Sequence, residues 1–180
     1  MPTSYLNNIP TVIAAIKSQT PKSILDVGCG FGKYGFLIRE YLELWTAEHR
    51  YKKSEWKVRL DALEPFEEYI TEVHQYLYDT IYCYTVQKFI EENSDSYYDV
   101  ILMVDVLEHF PKEEGMEIVT KLKVMSSDIL VSIPIVVSPQ GAAFGNKLET
   151  HHATWTQEEL KDIGAYKFFP SNNSWICLIH

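Results

Sequence analysis

The sequence predicts an α/β fold in which helices cover both faces of a seven-stranded, mostly parallel sheet, giving three layers. Strand-like apolar runs alternate with helix-like segments almost to the end of the chain, which is the pattern of a parallel sheet. Residues 99–104 are almost continuously apolar, as expected for a central strand that is buried on both faces. The last two strand-like runs are joined by a short turn, so the last strand is predicted to be antiparallel.

The first half of the chain supplies three of these strands. A leading helix is predicted to open near Asn8, with Pro10 in its first turn, where a missing N–H costs nothing. The second strand should end at Glu64, because Pro65 cannot donate to a ladder and disfavours helix at the residue before it. The predicted strands are 24–27, 57–63 and 81–85. The helices that follow them are predicted at 33–45, 67–77 and 86–92, and the first of these carries its apolar residues at helical spacing, namely Phe36, Leu37, Tyr41 and Leu44.

The second half supplies the other four strands, at residues 99–104, 129–133, 165–169 and 174–179. Pro134 ends the fifth strand, and an irregular segment then runs to Trp155. A helix should begin after Thr156, because Glu159 stands three residues later, which is the spacing of a capping box. Asn172 and Asn173 tolerate left-handed geometry, which favours a hairpin between the last two strands.

Length, charge and cysteine content limit the class of protein. At 180 residues the chain is expected to form a single domain, 1–180. Its three cysteines form no C-x-x-C pair and lie in or beside apolar runs, which suits a reducing compartment. No apolar segment is long enough to span a bilayer and no signal-peptide profile is seen, so we expect a cytoplasmic protein without membrane contact.

The charge balance disfavours nucleic acid as a partner. A formal charge of −9 argues against non-specific binding to a phosphate backbone, which requires basic surface. Recognition of RNA through a local patch stays open, since Lys52, Lys53, Lys57 and Arg59 form a small basic group.

The most informative segment is a short apolar strand that runs into a glycine-rich turn, Asp26-Val-Gly-Cys-Gly-Phe-Gly32. Glycines at Gly28, Gly30 and Gly32 let the backbone turn sharply and approach a ligand closely. Asp26 suits the ammonium of an amino-acid moiety. An alternative is the dinucleotide fingerprint G-x-G-x-x-G, which residues 30–35 satisfy, but it begins three residues after the strand. The ribose-binding acid of that fingerprint follows about 20 residues later, and Glu64 lies well beyond that.

Acidic residues stand where two strands end. In open α/β sheets ligands collect outside the carboxyl ends of the strands. Glu64, at the end of strand two, can accept hydrogen bonds from both hydroxyls of a ribose. Asp105 follows strand four. Together with the glycine turn, these ends predict a nucleoside site.

Four segments in order resemble the motifs of class I S-adenosylmethionine (SAM)-dependent methyltransferases. They are Ile24-Leu-Asp-Val-Gly-Cys-Gly30, Leu63-Glu-Pro65, the strand that ends in Asp105-Val-Leu-Glu-His109, and Ile129-Leu-Val-Ser-Ile-Pro134. The resemblance implies a Rossmann-like fold, SAM as cofactor, and methyl transfer by in-line displacement to an unidentified acceptor, which we expect to be a small molecule. The alternative from another class is a SAM-binding module that has lost catalysis, or that regulates a complex as one of its subunits.

The resemblance also implies roles for individual residues. Gly28 and Gly30 would contact the methionine and ribose part of the cofactor, and Asp26 would orient its amino group. Glu64, followed by Pro65, would hold the ribose, and Asp105 and Val106 would line the methionine side. The family often has an acid near the adenine amino group after strand three; this chain has none there, and Gln87 is the predicted substitute.

Histidines are the predicted catalytic residues. If the acceptor must lose a proton, His109 or His151 is expected to take it, from the rim of the pocket. His109, His151 and His152 have the donor type of a metal site, but adjacent histidines rarely point the same way and no cysteine or carboxylate spacing supports one, so we predict no metal. No nucleophile elbow and no G-x-x-x-x-G-K-[ST] loop is present.

Overall fold

The computed structural model describes residues 4–180 and contains the predicted sheet. Its seven strands lie in the order β3-β2-β1-β4-β5-β7-β6, and only β7 runs antiparallel to its neighbours. The bounds of the strands are β1 Ser23–Val27, β2 Arg59–Leu63, β3 Thr80–Tyr82, β4 Tyr98–Val104, β5 Ser126–Pro134, β6 Ala165–Phe169 and β7 Ser174–Ile179. The prediction of the fold class is confirmed.

Six α-helices of the described chain cover the sheet in two layers. Their bounds are α1 Ile9–Gln19, α2 Lys33–Arg39, α3 Glu72–Leu77, α4 Val86–Glu92, α5 Lys112–Lys123 and α6 Gln157–Asp162. Apolar residues of α1, α2 and α3 pack on one face of the sheet, and those of α4, α5 and α6 pack on the other. Consecutive residues of β4 belong alternately to the two cores, which explains why this strand is apolar without interruption.

Several predicted boundaries were wrong. The helix at 67–77 is broken into a 3-10 turn, Glu67–Tyr69, and α3, because Thr71 caps the start of α3. Strand β3 ends at Tyr82 rather than at residue 85, since the Thr85 side chain accepts a hydrogen bond from the backbone N of Lys88 and caps α4. The capping box at Thr156 and Glu159 is confirmed.

The buried face of α2 also differs from the prediction. Phe36 is 58% exposed, whereas Tyr34, Ile38 and the charged Arg39 are buried. The helix continues into a π turn, Glu40–Leu44, which changes the phase of its side chains. Leu37 and Tyr41 of the predicted stripe do pack against the core. The prediction was wrong at Phe36, and it missed Arg39, which is buried with partners that the apolar pattern does not show.

The strand order reverses between β1 and β4, which are neighbours although β2 and β3 follow β1 in the chain. A sheet of this kind has a crevice at the carboxyl ends of the two strands where the order reverses. The glycine turn follows β1 and Asp105 follows β4, so the fold places both at this crevice.

Candidate active site

A cavity that opens to solvent lies in this crevice, and the empty space of the cavity and its mouth together is about 990 Å³. Its walls come from the glycine turn, from the carboxyl ends of β2 and β4, from the start of α4 and from the loop after β5. The lining residues are Ser4, Val27, Gly28, Cys29, Gly30, Lys33, Tyr34, Leu63, Glu64, Pro65, Thr85, Val86, Gln87, Val104, Asp105, Val106, His109, Phe110, Asn146, Leu148 and Glu149. Most of the predicted site residues are therefore brought together.

The glycine turn needs its glycines for two reasons. The φ angles of Gly28, Gly30 and Gly32 are 67°, 54° and 80°, a left-handed conformation that side chains with a Cβ disfavour. At Gly28 a Cβ would also stand 2.8 Å from Cγ2 of Val106. The turn can hold its shape, and a ligand can approach its backbone, only while these positions lack side chains.

His74 supports the turn and was not predicted. Its Nδ1 accepts a hydrogen bond from the backbone N of Thr71 at 3.1 Å, so its Nε2 is the atom that donates to the carbonyl oxygen of Gly30, at 2.9 Å. The ring is completely buried. The signal in the sequence is the spacing of Thr71 and His74, which is that of a capping box with histidine in place of glutamate.

Glu64 reaches from the end of β2 to the glycine turn. Its Oε2 accepts a hydrogen bond from the backbone N of Gly30, and its Oε1 accepts one from the backbone N of Phe66, both at 3.0 Å. Burial raises the pKa of Glu64, the two backbone donors offset part of this rise, and the charge of Glu149 adds to it. Each carboxylate oxygen keeps a further lone pair, so Glu64 can still accept hydrogen bonds from hydroxyls of a ligand in the cavity.

Asp26 lies behind the turn and is not among the residues that line the cavity. Its Oδ2 accepts a hydrogen bond from the Tyr78 hydroxyl at 2.6 Å, and the carboxyl group is 3% exposed. Burial raises its pKa to about 7, against the lowering effect of the Tyr78 hydroxyl and with a further rise from the charge of Glu64. The contact with the methionine amino group, direct or through water, that the resemblance implies for Asp26 stays a prediction.

We expect Asp26 to make stability depend on pH. Because its folded-state pKa of about 7 exceeds the ordinary 3.8, its stabilising contribution is complete below about pH 4 and is lost as the pH rises through 7. Between pH 5 and pH 8 the free energy of unfolding should fall by about 2 to 3 kcal/mol more in the wild type than in Asp26→Asn. Chemical denaturation at several pH values measures this difference.

Several titratable groups surround Asp26, so the experiment needs a control substitution of the same kind. Tyr78, Glu64, Cys29 and Tyr34 all interact with it electrostatically, so the comparison must remove only the Asp26 carboxyl. Asp95→Asn, an exposed change of the same kind, should follow the wild-type curve. Parallel curves for the wild type and Asp26→Asn would show that the pKa of this carboxyl is the same in the folded and the unfolded protein, which would contradict the prediction.

Gln87 is placed to accept a hydrogen bond. Its Nε2 donates to Oε1 of Glu114 at 2.6 Å, which fixes the orientation of the amide, and its Oε1 is buried without a hydrogen-bond partner within residues 4–180. Gln87 lines the cavity at the start of α4. A buried oxygen without a partner is costly, and an amino group of a ligand would relieve that cost. The adenine contact of Gln87 stays a prediction.

Asp105 and Val106 line the cavity directly after the carboxyl end of β4. Asp105 has a φ of 55°, which is uncommon for a residue other than glycine and is typical of functional sites. Burial raises its pKa to about 6, while the Ser132 hydroxyl and the charge of Lys33 lower it. Val106 packs over Gly28. Nζ of Lys33 donates to the carbonyl oxygen of Ser4 at 2.8 Å.

The two predicted catalytic histidines lie side by side, with ring centroids 5.0 Å apart. Nδ1 of His109 donates to the carbonyl oxygen of Thr150 at 3.2 Å, and Nδ1 of His151 donates to that of Ser138 at 2.7 Å. His109 lines the cavity, whereas His151 is not among the lining residues. Burial lowers the pKa of His109, which favours the neutral ring. His152 is exposed and does not join them.

Beside the histidines lies Glu108, whose side chain is 1% exposed. Burial raises its pKa well above the ordinary value, and the charge of Asp105 raises it further. Within residues 4–180 its Oε2 has no hydrogen-bond partner. Sequence analysis took Glu108 as part of a motif but gave it no role, because nothing in the local pattern marks this residue as buried next to His151.

Three of the four residues in the small basic group have hydrogen-bond or ion-pair partners within the protein. Nζ of Lys53 donates to the carbonyl oxygens of Gln75 and Tyr78, both at 3.0 Å. Lys57 pairs with Glu48, and Arg59 pairs with Asp61. These contacts reduce the charge that this group offers to a phosphate backbone. Among the helices of the described chain, none is both long enough and apolar enough to cross a membrane.

Solved structures resemble this fold, although no family model and no curated protein matches the sequence. An O-methyltransferase family protein from Burkholderia thailandensis matches with a TM-score of 0.64 and 11% identity, over 96% of this chain and 55% of its own. Magnesium protoporphyrin IX methyltransferase from Synechocystis PCC 6803, with bound SAM, matches with a TM-score of 0.58 and 14% identity, over 95% of this chain and 75% of its own. The plantazolicin methyltransferase BpumL, in complex with S-adenosylhomocysteine (SAH), matches with a TM-score of 0.57 and 20% identity, over 87% of this chain and 64% of its own. The chain has the Rossmann-like fold of class I SAM-dependent methyltransferases, and it spans about half the length of the Burkholderia protein.

Proposed function

We propose that this protein binds SAM in the cavity and transfers its methyl group to a small-molecule acceptor. The observation that carries the proposal is the acidic lining around the glycine turn. Among the described residues, Glu64, Asp105 and Glu149 line the cavity, and Lys33 is its only lysine or arginine. SAM is positively charged at its sulfur and its amino group, so this lining attracts it. A dinucleotide would bring an anionic pyrophosphate, which the same carboxyl groups repel.

The donors and acceptors of the cavity fit the parts of SAM. Glu64 would bind the ribose hydroxyls, with Pro65 beside it, and Gln87 Oε1 would accept from the adenine amino group. Gly28 and Gly30 would contact the cofactor with their backbone, and Asp105 and Val106 would face its methionine side. Four of the solved structures with this fold contain SAM or SAH, which supports the same ligand here.

When bound, SAM supplies an electrophilic methyl group, so the task of the protein is to align an acceptor with it. His109, at the edge of the cavity, would face that acceptor, and His109 or His151 would accept its proton. The solved structures with this fold include methyltransferases named for magnesium protoporphyrin IX and for plantazolicin, which supports a small acceptor without identifying it. The alternative, a SAM-binding module without catalysis, has no observation in its favour within the described residues.

Calorimetric titration with SAM, SAH and NAD tests the proposal. We expect SAM and SAH to bind with micromolar dissociation constants and NAD not to bind. Glu64→Ala should weaken binding of both by roughly tenfold or more, because hydrogen bonds to a buried carboxylate are lost. Glu68→Ala, an exposed change of the same kind four residues later, should leave the affinity unchanged.

The melting temperature of each variant without ligand should be measured alongside. Glu64 also receives hydrogen bonds from the backbone of Gly30 and Phe66, so a folded Glu64→Ala protein is needed before a loss of affinity is assigned to the ribose contact. Binding of NAD without SAM would make the protein an oxidoreductase candidate. Equal affinities of the two variants for SAM would overturn the role of Glu64.

A further inference from the structure

Three potential metal ligands converge at the edge of the cavity. Each of Glu108, His109 and His151 offers one ligand atom, and these three atoms lie within 4.8 Å of one another. The cluster joins the segment after β4 to the loop after β5, so it forms only in the folded chain. It differs from the set weighed in the sequence, because Glu108 takes the place of the exposed His152.

The hydrogen bonds of the two histidines favour metal binding. A carbonyl oxygen can only accept, so Nδ1 of His109 and of His151 carries the proton that is donated to Thr150 and to Ser138. In the neutral ring this leaves the lone pair of each Nε2 available. Histidines that bind metals are held in this way, with the second ring nitrogen donating to a carbonyl or a carboxylate.

A purely structural role of the two histidines does not explain why Glu108 is buried beside them. The two rings could simply attach the loop through the carbonyls of Thr150 and Ser138. Glu108, however, is 1% exposed, and its Oε2 has no partner within residues 4–180. A carboxyl group in this position is costly unless a positive charge or a donor reaches it.

We propose that Glu108, His109 and His151 bind one divalent cation of the first transition row, of which Zn²⁺ is the representative. Two imidazole nitrogens with one carboxylate suit such an ion better than Mg²⁺ or Ca²⁺, which prefer oxygen ligands. Ligand atoms lie about 2 Å from Zn²⁺, so the three side chains would close by about an ångström around it. The prediction of no metal is revised by this inference.

The place of the cluster gives the cation a function. Because His109 lines the cavity, an open coordination position there would face the acceptor and could bind one of its oxygen atoms. A metal-bound hydroxyl loses its proton to water more easily, so the cation would take over the role predicted for a histidine base. This consequence for the acceptor rests on the proposed function, whereas binding of the cation does not.

Titration of chelator-treated, metal-free protein with ZnCl₂ tests the site. We expect one Zn²⁺ per chain with a micromolar or smaller dissociation constant, and weaker binding of Mg²⁺. His151→Ala and Glu108→Gln should each weaken Zn²⁺ binding by roughly tenfold or more. His152→Ala is the matched control, because it removes the neighbouring exposed histidine, and it should bind Zn²⁺ like the wild type. The absorption spectrum of the Co²⁺ protein should change in His151→Ala and not in His152→Ala.

The absence of stoichiometric Zn²⁺ binding would overturn the proposal, as would equal affinity of His151→Ala and His152→Ala. Binding of Mg²⁺ in preference to Zn²⁺ would overturn the assigned class of cation. A SAM titration of the same metal-free samples separates the two proposals. Zn²⁺ binding without SAM binding would contradict the proposed function and leave the metal site supported, and SAM binding without Zn²⁺ binding would do the reverse.

Discussion

Gly28→Ala is expected to lower the free energy of unfolding by about 2 to 3 kcal/mol and to abolish measurable binding of SAM. The left-handed conformation at this position, with a φ of 67°, costs about 1 to 2 kcal/mol for a residue with a Cβ. The new Cβ would also stand 2.8 Å from Cγ2 of Val106, so one of the two must move. Gly28 and Val106 both line the cavity, so a change in the position of either residue should weaken binding of SAM as well as stability.

Two other glycines separate these contributions. Gly145 has a φ of 78° but nothing within 4 Å of its added Cβ, so Gly145→Ala should show only the conformational part. Gly141 has neither constraint, and Gly141→Ala should unfold like the wild type. Adding Val106→Ala to Gly28→Ala should restore part of the stability by removing the clash. Denaturant titrations of the wild type, the three single glycine variants and the double variant measure these free energies of unfolding. A Gly28→Ala protein as stable as Gly141→Ala would contradict the strain argument.

The sheet could be predicted from the sequence because each strand carries its own signal. Strands buried on both faces are short apolar runs, and Pro65 and Pro134 mark the ends of two of them. Their order in the sheet was not predicted, because the signal of one strand does not say which strands lie beside it. Helix ends were predicted less well, since the capping contacts of Thr71 and Thr85 form between side chains and backbone that apolar spacing does not describe.

The candidate site, like the fold, could be predicted only in part. The glycine turn and Glu64 could be predicted, because each stands directly after a strand and the carboxyl ends of parallel strands share one edge of the sheet. The partners of these residues could not. The Tyr78 hydroxyl meets Asp26 across 52 positions of the chain, and His74 meets the carbonyl of Gly30 across 44. Such contacts depend on how α3 packs, which no local pattern contains.

Arg39 is the clearest case of a residue that the pattern misplaced. Its Nε donates to the carbonyl oxygen of Leu77 at 2.8 Å, and its Nη1 donates to that of Val58 at 2.6 Å. Its Nη2 pairs with Asp79 at 3.0 Å, and its guanidinium lies 4.3 Å from the centre of the Trp56 ring. One buried side chain therefore ties α2 to the end of α3 and to the start of β2.

Arg39→Met should lower the free energy of unfolding by about 3 to 5 kcal/mol, which is the usual cost of removing one partner of a buried ion pair. Methionine fills much of the volume but leaves the carbonyls of Val58 and Leu77 without their donor. It also leaves Glu43, which is fully buried, with one cation fewer, since Nη1 of Arg39 lies 3.6 Å from its Oε1. Arg39→Lys should lie between the wild type and Arg39→Met, because an ammonium group cannot reach all the acceptors of the planar guanidinium.

A double substitution shows whether the charge of Glu43 contributes to that loss. Oε1 of Glu43 accepts from the backbone N of Lys57 and of Val58, and an amide oxygen can still do so in Glu43→Gln. Arg39→Met with Glu43→Gln should therefore be less destabilised than the sum of the two single changes, by about 1 kcal/mol or more. Lys121→Met, which breaks an exposed ion pair with Glu117, should unfold at nearly the wild-type denaturant concentration. If Arg39→Met unfolded at that same concentration, the buried guanidinium would not hold α2 on the sheet, and packing of Tyr34 and Ile38 alone would account for the position of the helix that follows the glycine turn.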